Sequence, residues 1–212
     1  MNHKRVERIW RREGLTIGGL AERIGMSKSG VFAHFGSRED LQLAVLHAYE
    51  SNFIDEIMKP ALQQPRGLPR LRALLERWLT YIALEARNGC IWVSGAAEYD
   101  DRPGAVRDAL VTMITGWQNE LRRAIGYAVA EQDLPENSDA EAMIFELHGI
   151  VLAVHHDTRL LKNDDAYERG MRSLNRLLAA WQQHAAPKPP SWSTTARPDS
   201  CWCSRRWRRA GQ

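Results

Sequence analysis

The chain has 212 residues, 44% of them hydrophobic and 26% charged, and this composition suits a globular protein with a sizeable core. No stretch reaches the roughly 18 apolar residues that a membrane-spanning helix needs, and the charged segment 1–12 lacks the apolar run of a signal peptide. We therefore expect a cytoplasmic protein with no membrane partner. The three cysteines, Cys90, Cys201 and Cys203, provide no disulfide framework.

The net charge of +3 is distributed unevenly along the chain. Residues 1–38 contain eight Lys and Arg against three Glu, and residues 187–212 contain six against one Asp. The 148 residues between these segments carry a net charge of −7. A basic head on an acidic body predicts a local contact with a polyanion. Charge alone fits DNA, RNA or an acidic membrane surface.

Hydrophobic residues recur at helical spacing along most of the chain, and no segment alternates convincingly in the manner of a strand. The sequence therefore predicts an all-α fold. We expect a break where Pro60, Pro65, Gly67 and Pro69 follow one another. The predicted helices cover residues 2–12, 16–25, 27–35, 37–58, 68–86, 91–99, 105–131, 138–161 and 164–184.

We place a domain boundary near Glu50, inside the helix predicted over 37–58. Residues 1–50 would form a small N-terminal domain, and residues 51–186 a larger helical domain. Three prolines, Pro187, Pro189 and Pro190, follow the last predicted helix, and the remaining residues show no periodicity. We expect the basic tail 187–212 to be disordered, although a frame-shifted or artificial end would have the same composition.

The stretch 16–41 contains the A-x3-G-x5-V spacing of a helix-turn-helix, at Ala21, Gly25 and Val31. A small residue at 21 lets the next helix cross closely above it, and Gly25 can end the first helix with a positive φ at low cost. The recognition helix is predicted over 27–35. Within it, Val31 and Phe35 lie four residues apart and share the helix face that fills the core below. Two short helices joined by a three- to four-residue turn match the dimensions of the motif.

The exposed face of the helix over 27–35 is predicted to enter the major groove of double-stranded DNA. Ser27 is expected to cap this helix, and helix N-termini favour phosphate oxygens. Lys28 and Ser29 follow at the front of the helix, where major-groove readers contact bases. A solvated or phosphate-bound Lys28 is an alternative that stays open.

Further contacts are assigned to the end of the recognition helix and the start of the next one. Phe32 and Ala33 offer apolar surface to thymine methyl groups, while His34 and Arg38 are placed against backbone phosphates. Ser37 begins the next helix with a pattern that resembles a capping box. The complete set of predicted DNA-binding residues is Thr16, Ser27, Lys28, Ser29, Phe32, Ala33, His34 and Arg38.

Residues 15–45 resemble the DNA-binding domain of the TetR family of transcriptional regulators. In that family the recognition helix ends in an aromatic residue, a variable residue, His and Phe, followed by Ser-Lys-Glu and Leu, and this chain has the corresponding run over 32–41. Segment 88–110 resembles one subgroup of the family, so the resemblance covers about residues 4–184. It implies a three-helix helix-turn-helix domain on a helical ligand-binding and dimerisation domain.

The resemblance also implies a function. The protein would bind a pseudo-palindromic operator as a homodimer, usually as a repressor, and a small-molecule effector would change the separation of the two recognition helices. The chain departs from the family at Phe32, where Tyr is usual, at Arg38, where Lys is usual, and in a shortened segment before Thr16. These departures leave an alternative, a helical ligand-binding or interaction protein with a degenerate DNA-binding head.

Ligand domains of this family enclose an apolar pocket among their middle helices. Plain core packing is the alternative for any one of the candidate residues. The predicted pocket residues are Trp78, Tyr81, Trp92, Met113, Trp117, Phe145 and His148. The resemblance further implies that the helices over 138–161 and 164–184 pack against their copies as a four-helix bundle. Their apolar stripes contain Phe145, Leu147, Ile150, Leu152, Leu174, Leu177 and Trp181.

We predict no metal site, no cofactor and no enzymatic activity. His148 and His155 are seven residues apart, roughly 10 Å along a helix, and cannot hold one ion. Cys90 lies beside a helix start that lowers thiol pKa values in some proteins, although a small buried thiol is the simpler interpretation. The sequence contains no Walker loop, no dinucleotide-binding motif and no nucleophile elbow.

Overall fold

The computed structural model describes residues 27–88 and 90–183. Every regular element within these ranges is a helix, which confirms the predicted all-α fold. The helices predicted over 2–12 and 16–25 and the tail 187–212 lie outside the described residues. The elements are α1 (Lys28–Phe35), α2 (Arg38–Phe53), a π-helical turn (Ile54–Met58), α3 (Lys59–Leu62), α4 (Leu68–Asn88), α5 (Ile91–Tyr99), α6 (Ala105–Ala130), α7 (Ala140–Arg159) and α8 (Ala166–Gln183).

The bounds of the long helices agree closely with the hydrophobic periodicity. The longest, α6, ends at Ala130 where the pattern predicts 131, and α7 and α8 each begin two residues later than predicted. The start of α7 is set by Asp139, whose carboxylate accepts the backbone N–H groups of Glu141 and Ala142 at 3.0 and 3.1 Å. Such a cap satisfies donors that have no partner inside the helix.

The expected break falls at residues 63–67, within the predicted run but after Pro60, because α2 runs through the π-helical turn into α3 as one continuous helix from Arg38 to Leu62. A proline inside an α-helix clashes with the carbonyl four residues before it and cannot donate to it. Here the π-helical turn, whose hydrogen bonds span five residues, ends two residues before the proline. The Glu56 carbonyl, four residues before Pro60, lies 3.5 Å from the Arg77 guanidinium.

The core lies around α4, which packs against α3, α6, α7 and α8. α1 contacts α2, and α2 packs against α6, so the short N-terminal helix is connected to the body through α2. Among the most deeply buried core side chains are Leu71, Leu75 and Ile82 from α4 and Leu121 and Ile125 from α6. None of the described helices has the length and apolarity needed to cross a membrane.

The last two helices, α7 and α8, approach each other closely at a buried glycine. A Cβ atom at Gly170 would lie 2.4 Å from Cγ2 of Val154, so no larger residue fits without a shift of one helix. Near the end of α8, the Trp181 indole N–H donates to the Glu146 carboxylate at 2.9 Å. The pair therefore combines tight packing with a satisfied polar group.

Candidate functional site

The described part of the predicted DNA-contacting surface is the exposed start of α1. Ser27 Oγ accepts the backbone N–H of Gly30 at 3.0 Å, which is the predicted N-cap bond, and lies 2.9 Å from Ser29 Oγ. Ser27, Ser29 and Ala33 are exposed. Thr16 and the side chains of Lys28, Phe32 and His34 lie outside what the structure describes, so their assignments stay predictions.

The turn between α1 and α2 sets the position of Arg38. Gly36 adopts a φ of +83°, which is inexpensive only for glycine, and thereby reverses the chain after α1. Ser37 and Asp40 form the predicted capping box: the Asp40 N–H donates to Ser37 Oγ, and the Ser37 N–H donates to Asp40 Oδ2, both at 3.0 Å. Arg38 is the first residue of α2 and is exposed, as a phosphate contact requires.

An aromatic cluster occupies the body between α2, α4, α5 and α6. Phe53 lies at its centre, with ring centroids 4.4 Å from Trp92, 4.9 Å from Trp117 and 5.7 Å from Tyr81. Tyr49, one turn earlier on α2, lies 6.1 Å from Trp92. These pairs have the edge-to-face geometry that aromatic quadrupoles favour. All five side chains are buried.

Three tryptophans in this region have buried indole N–H groups with no acceptor among the described residues. Trp78, Trp92 and Trp117 form no hydrogen bond through Nε1 to any described residue. The Trp78 and Trp117 rings lie 5.3 Å apart, and those of Trp92 and Trp117 6.4 Å apart, so the three donors belong to one cluster. A buried donor without a partner costs about 1–3 kcal/mol relative to one that is hydrogen-bonded.

A cavity of about 210 Å³ lies beside the cluster, between the α2–α3 helix and α6. Trp92 from α5 also forms part of its wall. Gly116 on α6 contributes open space, because a Cβ atom there would have no neighbour within 4 Å. The cavity is lined by Tyr49, Glu50, Phe53, Ile54, Met58, Trp92, Met113, Gly116, Trp117 and Glu120.

Three of the predicted pocket residues, Trp92, Met113 and Trp117, line this cavity. Trp78 and Tyr81 lie one layer behind it, because Trp78 packs on Trp117 and Tyr81 packs on Phe53. The prediction missed the cavity wall contributed by α2 and the π-helical turn. A possible signal was the helical spacing of two aromatic residues, at 49 and 53, on either side of the predicted domain boundary.

The remaining two predicted pocket residues lie on α7, away from the cavity lining. His148 packs edge-to-face on Trp78 at 5.8 Å, and burial lowers the pKa of its imidazole. Phe145 is 81% exposed, so its assignment to the pocket does not agree with the structure. Helical spacing identified an apolar position here, but the side chain faces away from the protomer's own core.

Cys90 precedes α5 and is fully buried. Its Sγ lies 3.7 Å from the Tyr49 hydroxyl, and burial raises the pKa of the thiol. The lowered pKa that a helix start can produce is therefore not found here, and the structure favours the small buried thiol. Within the described residues, no three His, Cys, Asp or Glu side chains are grouped as metal ligands.

The cavity and the predicted DNA-contacting surface are connected through α2. Tyr49 and Phe53 line the cavity on the last turns of the helix, and Arg38 begins the helix about 16 Å from Tyr49 and about 22 Å from Phe53 at 1.5 Å per residue. A second contact lies near the start of α2, where the Gln42 side-chain amide donates to the Tyr99 hydroxyl at 2.5 Å. Tyr99 is the last residue of α5, the helix that carries Trp92 into the cavity.

Comparison with protein families gives two matches along the chain. A family model described as bacterial regulatory proteins, tetR family, matches residues 13–45. A second, described as tetracyclin repressor-like, C-terminal domain, matches residues 67–174. None of the curated proteins matches the chain.

Solved structures share the fold at low sequence identity. A TetR-family transcriptional regulator from Streptomyces coelicolor is 16% identical, with a TM-score of 0.69 over 85% of this chain and 93% of that one. The regulator FadR from Bacillus subtilis, solved with stearoyl-CoA, is 11% identical, with a TM-score of 0.68 over 84% and 98%. AibR, solved with isovaleryl coenzyme A and operator DNA, is 19% identical, with a TM-score of 0.62 over 81% and 96%.

Proposed function

This chain belongs to the TetR family of bacterial regulatory proteins, and from that premise we propose that it is a ligand-released repressor that binds a pseudo-palindromic operator as a homodimer. As a member of the family it is a DNA-binding transcriptional regulator. The observation that carries the proposal is the continuous helix from Arg38 to Leu62, which contacts α1 at one end and lines the aromatic cavity farther along. The neighbours solved with acyl-CoA, and in one case with operator DNA, are consistent with this arrangement.

DNA contact is assigned to the start of α1 and the start of α2. The exposed Ser27 and Ser29 and the adjacent Lys28 would contact bases, and the exposed Arg38 would contact a phosphate. In a dimer, two copies of α1 would enter successive major grooves about 34 Å apart. A pseudo-palindromic operator follows from the twofold symmetry of such a dimer.

The dimer surface is assigned to the outer faces of α7 and α8. Phe145 is 81% and Leu152 is 46% exposed, and both lie on α7. The shallow groove beside them contains Ile150, Ala153 and Leu177. Large exposed apolar side chains along one helix pair favour pairing with a second pair as a four-helix bundle.

Release follows from a linked equilibrium between the cavity and α1. A ligand in the cavity contacts Tyr49 and Phe53, so any displacement of these side chains shifts α2 and with it α1. The bond between Gln42 and Tyr99 offers a second route from α5. If the ligand binds the displaced arrangement more tightly than the operator-bound one, operator binding is weakened by the ratio of these two ligand affinities. Such ratios are typically 5–150-fold.

The proposal is tested by selecting bound sites from random DNA with the purified full-length protein. We expect an enriched inverted repeat whose half-sites are separated by about one helical turn, and a gel shift that weakens steeply with salt. Enrichment of no sequence, with no retardation at low salt, would contradict the repressor and support the alternative of a ligand-binding protein with a degenerate head.

Two substitutions separate base reading from phosphate contact. Lys28→Ala should reduce discrimination between the selected site and a mismatched site, by about 1–3 kcal/mol if Lys28 reads a base. Arg38→Ala should weaken both sites alike and reduce the salt slope by about one. Equal loss of specificity in both variants would contradict these roles.

Dimerisation is tested separately with Phe145→Glu. The variant should raise the dimer dissociation constant about 100-fold, because it places a charge at the centre of the proposed bundle. Leu84→Glu is the matched control, since Leu84 is 62% exposed on α4, outside α7 and α8. Sedimentation of both variants over a concentration series measures the effect. A wild-type protein that stays monomeric at micromolar concentration would end the dimer proposal.

A further inference from the structure

The chemistry of the cavity lining indicates what kind of ligand would enter it, an inference that depends on the proposed ligand response. Among the described residues, the lining contains two carboxylates, Glu50 and Glu120, and no Lys, Arg or His. The remaining lining residues are four aromatic side chains, Ile54, two methionines and Gly116. The cavity therefore combines negative charge with an apolar wall.

The two carboxylates differ in how far their charge is already compensated. The Glu120 side chain pairs with Arg123, one turn along α6. Glu50 is half-buried on α2 and has no basic side chain within 4.0 Å among the described residues. An ionised group at the edge of an apolar cavity loses part of its hydration. A cation in the cavity would offset the free-energy cost of that lost hydration.

The aromatic wall favours the same sign of charge. Tyr49, Phe53, Trp92 and Trp117 all line the cavity, and the Phe53 ring packs against both tryptophan rings. The faces of such rings carry partial negative charge and attract ammonium groups within about 6 Å, most strongly at tryptophan. Met58 and Met113 add polarisable sulfur atoms to the lining.

We propose that the cavity binds a small organic cation with an apolar body, held by the Glu50 carboxylate and the aromatic wall. Its volume of about 210 Å³ is below the roughly 300–1,000 Å³ of most ligand pockets, which favours a ligand of about one ring with a small substituted ammonium group. The acyl-CoA thioesters bound by FadR and AibR carry several phosphate charges, and the described part of this lining has no basic group for them.

The test uses three probes of similar shape and different charge on the full-length protein. These are phenyltrimethylammonium, its neutral isostere tert-butylbenzene, and the anion benzenesulfonate, each titrated by calorimetry and by quenching of tryptophan fluorescence. We expect the cation to bind about tenfold more tightly than the isostere, from the energy of a partly desolvated cation–π contact, and benzenesulfonate to show no saturation. Equal affinity for all three probes, or preference for the anion or for isovaleryl-CoA, would overturn the inference.

A charge-neutral variant locates the cation. Glu50→Gln keeps the size of the side chain and should abolish most of the preference for phenyltrimethylammonium while leaving tert-butylbenzene binding unchanged. Glu56→Gln is the matched control, because Glu56 is exposed on the same continuous helix and does not line the cavity. A loss of cation preference that is equal in both variants would assign it to net charge and overturn the role of Glu50.

Failure of this inference is distinguishable from failure of the proposed function. Operator binding without any probe tests the regulator, and the order of the three probe affinities tests the ligand class. A protein that binds its selected DNA site but prefers benzenesulfonate refutes only the cation. A protein that binds no DNA site but prefers phenyltrimethylammonium refutes only the repressor.

Discussion

The aromatic cluster beside the cavity and the α7–α8 pair both bury tryptophans, but they treat polar groups and space in opposite ways. In the cluster, Trp78, Trp92 and Trp117 bury indole N–H groups that have no described acceptor, and a cavity of about 210 Å³ lies open beside them. In the helix pair, Trp181 donates to Glu146 and Gly170 brings the helices into close contact. The helix pair is therefore closely packed with its indole N–H hydrogen-bonded, whereas the cluster leaves open space and buried donors beside the α2–α3 helix.

The largest effect is expected where the helix pair is tightest. Gly170→Ala should lower the free energy of unfolding by about 2–3 kcal/mol, because the new Cβ atom would lie 2.4 Å from Val154 Cγ2 and 3.2 Å from Leu79 Cδ2. Urea denaturation followed by circular dichroism measures the change. Gly149→Ala on α7 is the control, since a Cβ atom there meets nothing within 4 Å. Equal stability of the two variants would show that the helices do not depend on this contact.

The contrast in hydrogen bonding predicts the next largest effect. Trp181→Phe and Trp117→Phe remove the same indole atoms from buried positions. The first also breaks a hydrogen bond to a carboxylate, whereas the second removes a donor that has no partner in the described structure. We therefore expect Trp181→Phe to cost about 1–2 kcal/mol more than Trp117→Phe in urea denaturation at pH 7. A larger cost at Trp117 would mean that its N–H has an acceptor in solution.

Much of this organisation was predictable from sequence, because it depends on local chemistry. The helix caps at Ser27 and Ser37 and the long periodic helix over 105–130 follow from spacing within one element. The wall of the cavity was not predictable in the same way. Tyr49 and Phe53 belong to a helix assigned by its first half to DNA binding, and only the packing of α2 on α6 shows that its second half faces the cavity.

Two further differences between the sequence predictions and the structure arise because those predictions use only local patterns. The π-helical turn at Ile54–Met58 accommodates Pro60, and a local rule that treats proline as a helix breaker does not anticipate it. Phe145 is apolar at the correct helical spacing, yet it is 81% exposed on the protomer. Periodicity shows that a residue belongs to an apolar stripe, but it does not distinguish a stripe that faces the protomer's own core from one that faces a second chain.

The open space in the cavity can be filled from Gly116. Gly116→Leu should abolish saturable binding of phenyltrimethylammonium by blocking the cavity, and it should raise the free energy of unfolding by about 0.5–1 kcal/mol because leucine is a better helix former. Gly126→Leu is the matched control on α6, since its Cβ atom also has no neighbour within 4 Å and the position lies outside the cavity. Similar stabilisation with retained binding is expected there. Retained binding in Gly116→Leu would place the ligand elsewhere.

The smallest effect concerns a histidine that, like the three tryptophans, is buried without a described hydrogen-bond partner. His155 on α7 is 8% exposed, and its Nε2 forms no hydrogen bond to any described residue. Burial lowers the pKa of His155, and the positive charges of Arg159 and His156 lower it further. The folded protein therefore holds a neutral imidazole at a pH where the unfolded chain, with a pKa of about 6.5, takes up a proton.

The sign of the pH dependence follows from that difference. Above about pH 6.5 both states are neutral at His155 and stability does not depend on it, whereas below that pH only the unfolded state gains the proton, so the free energy of unfolding falls until the folded pKa is passed. His148, whose pKa burial also lowers, adds in the same direction. His155→Phe should flatten this slope between pH 5.5 and 7.5, and substitution of the exposed His47 on α2 by Gln should retain it. If stability is unchanged across that range in the wild-type protein, the imidazole of His155 has a partner in solution.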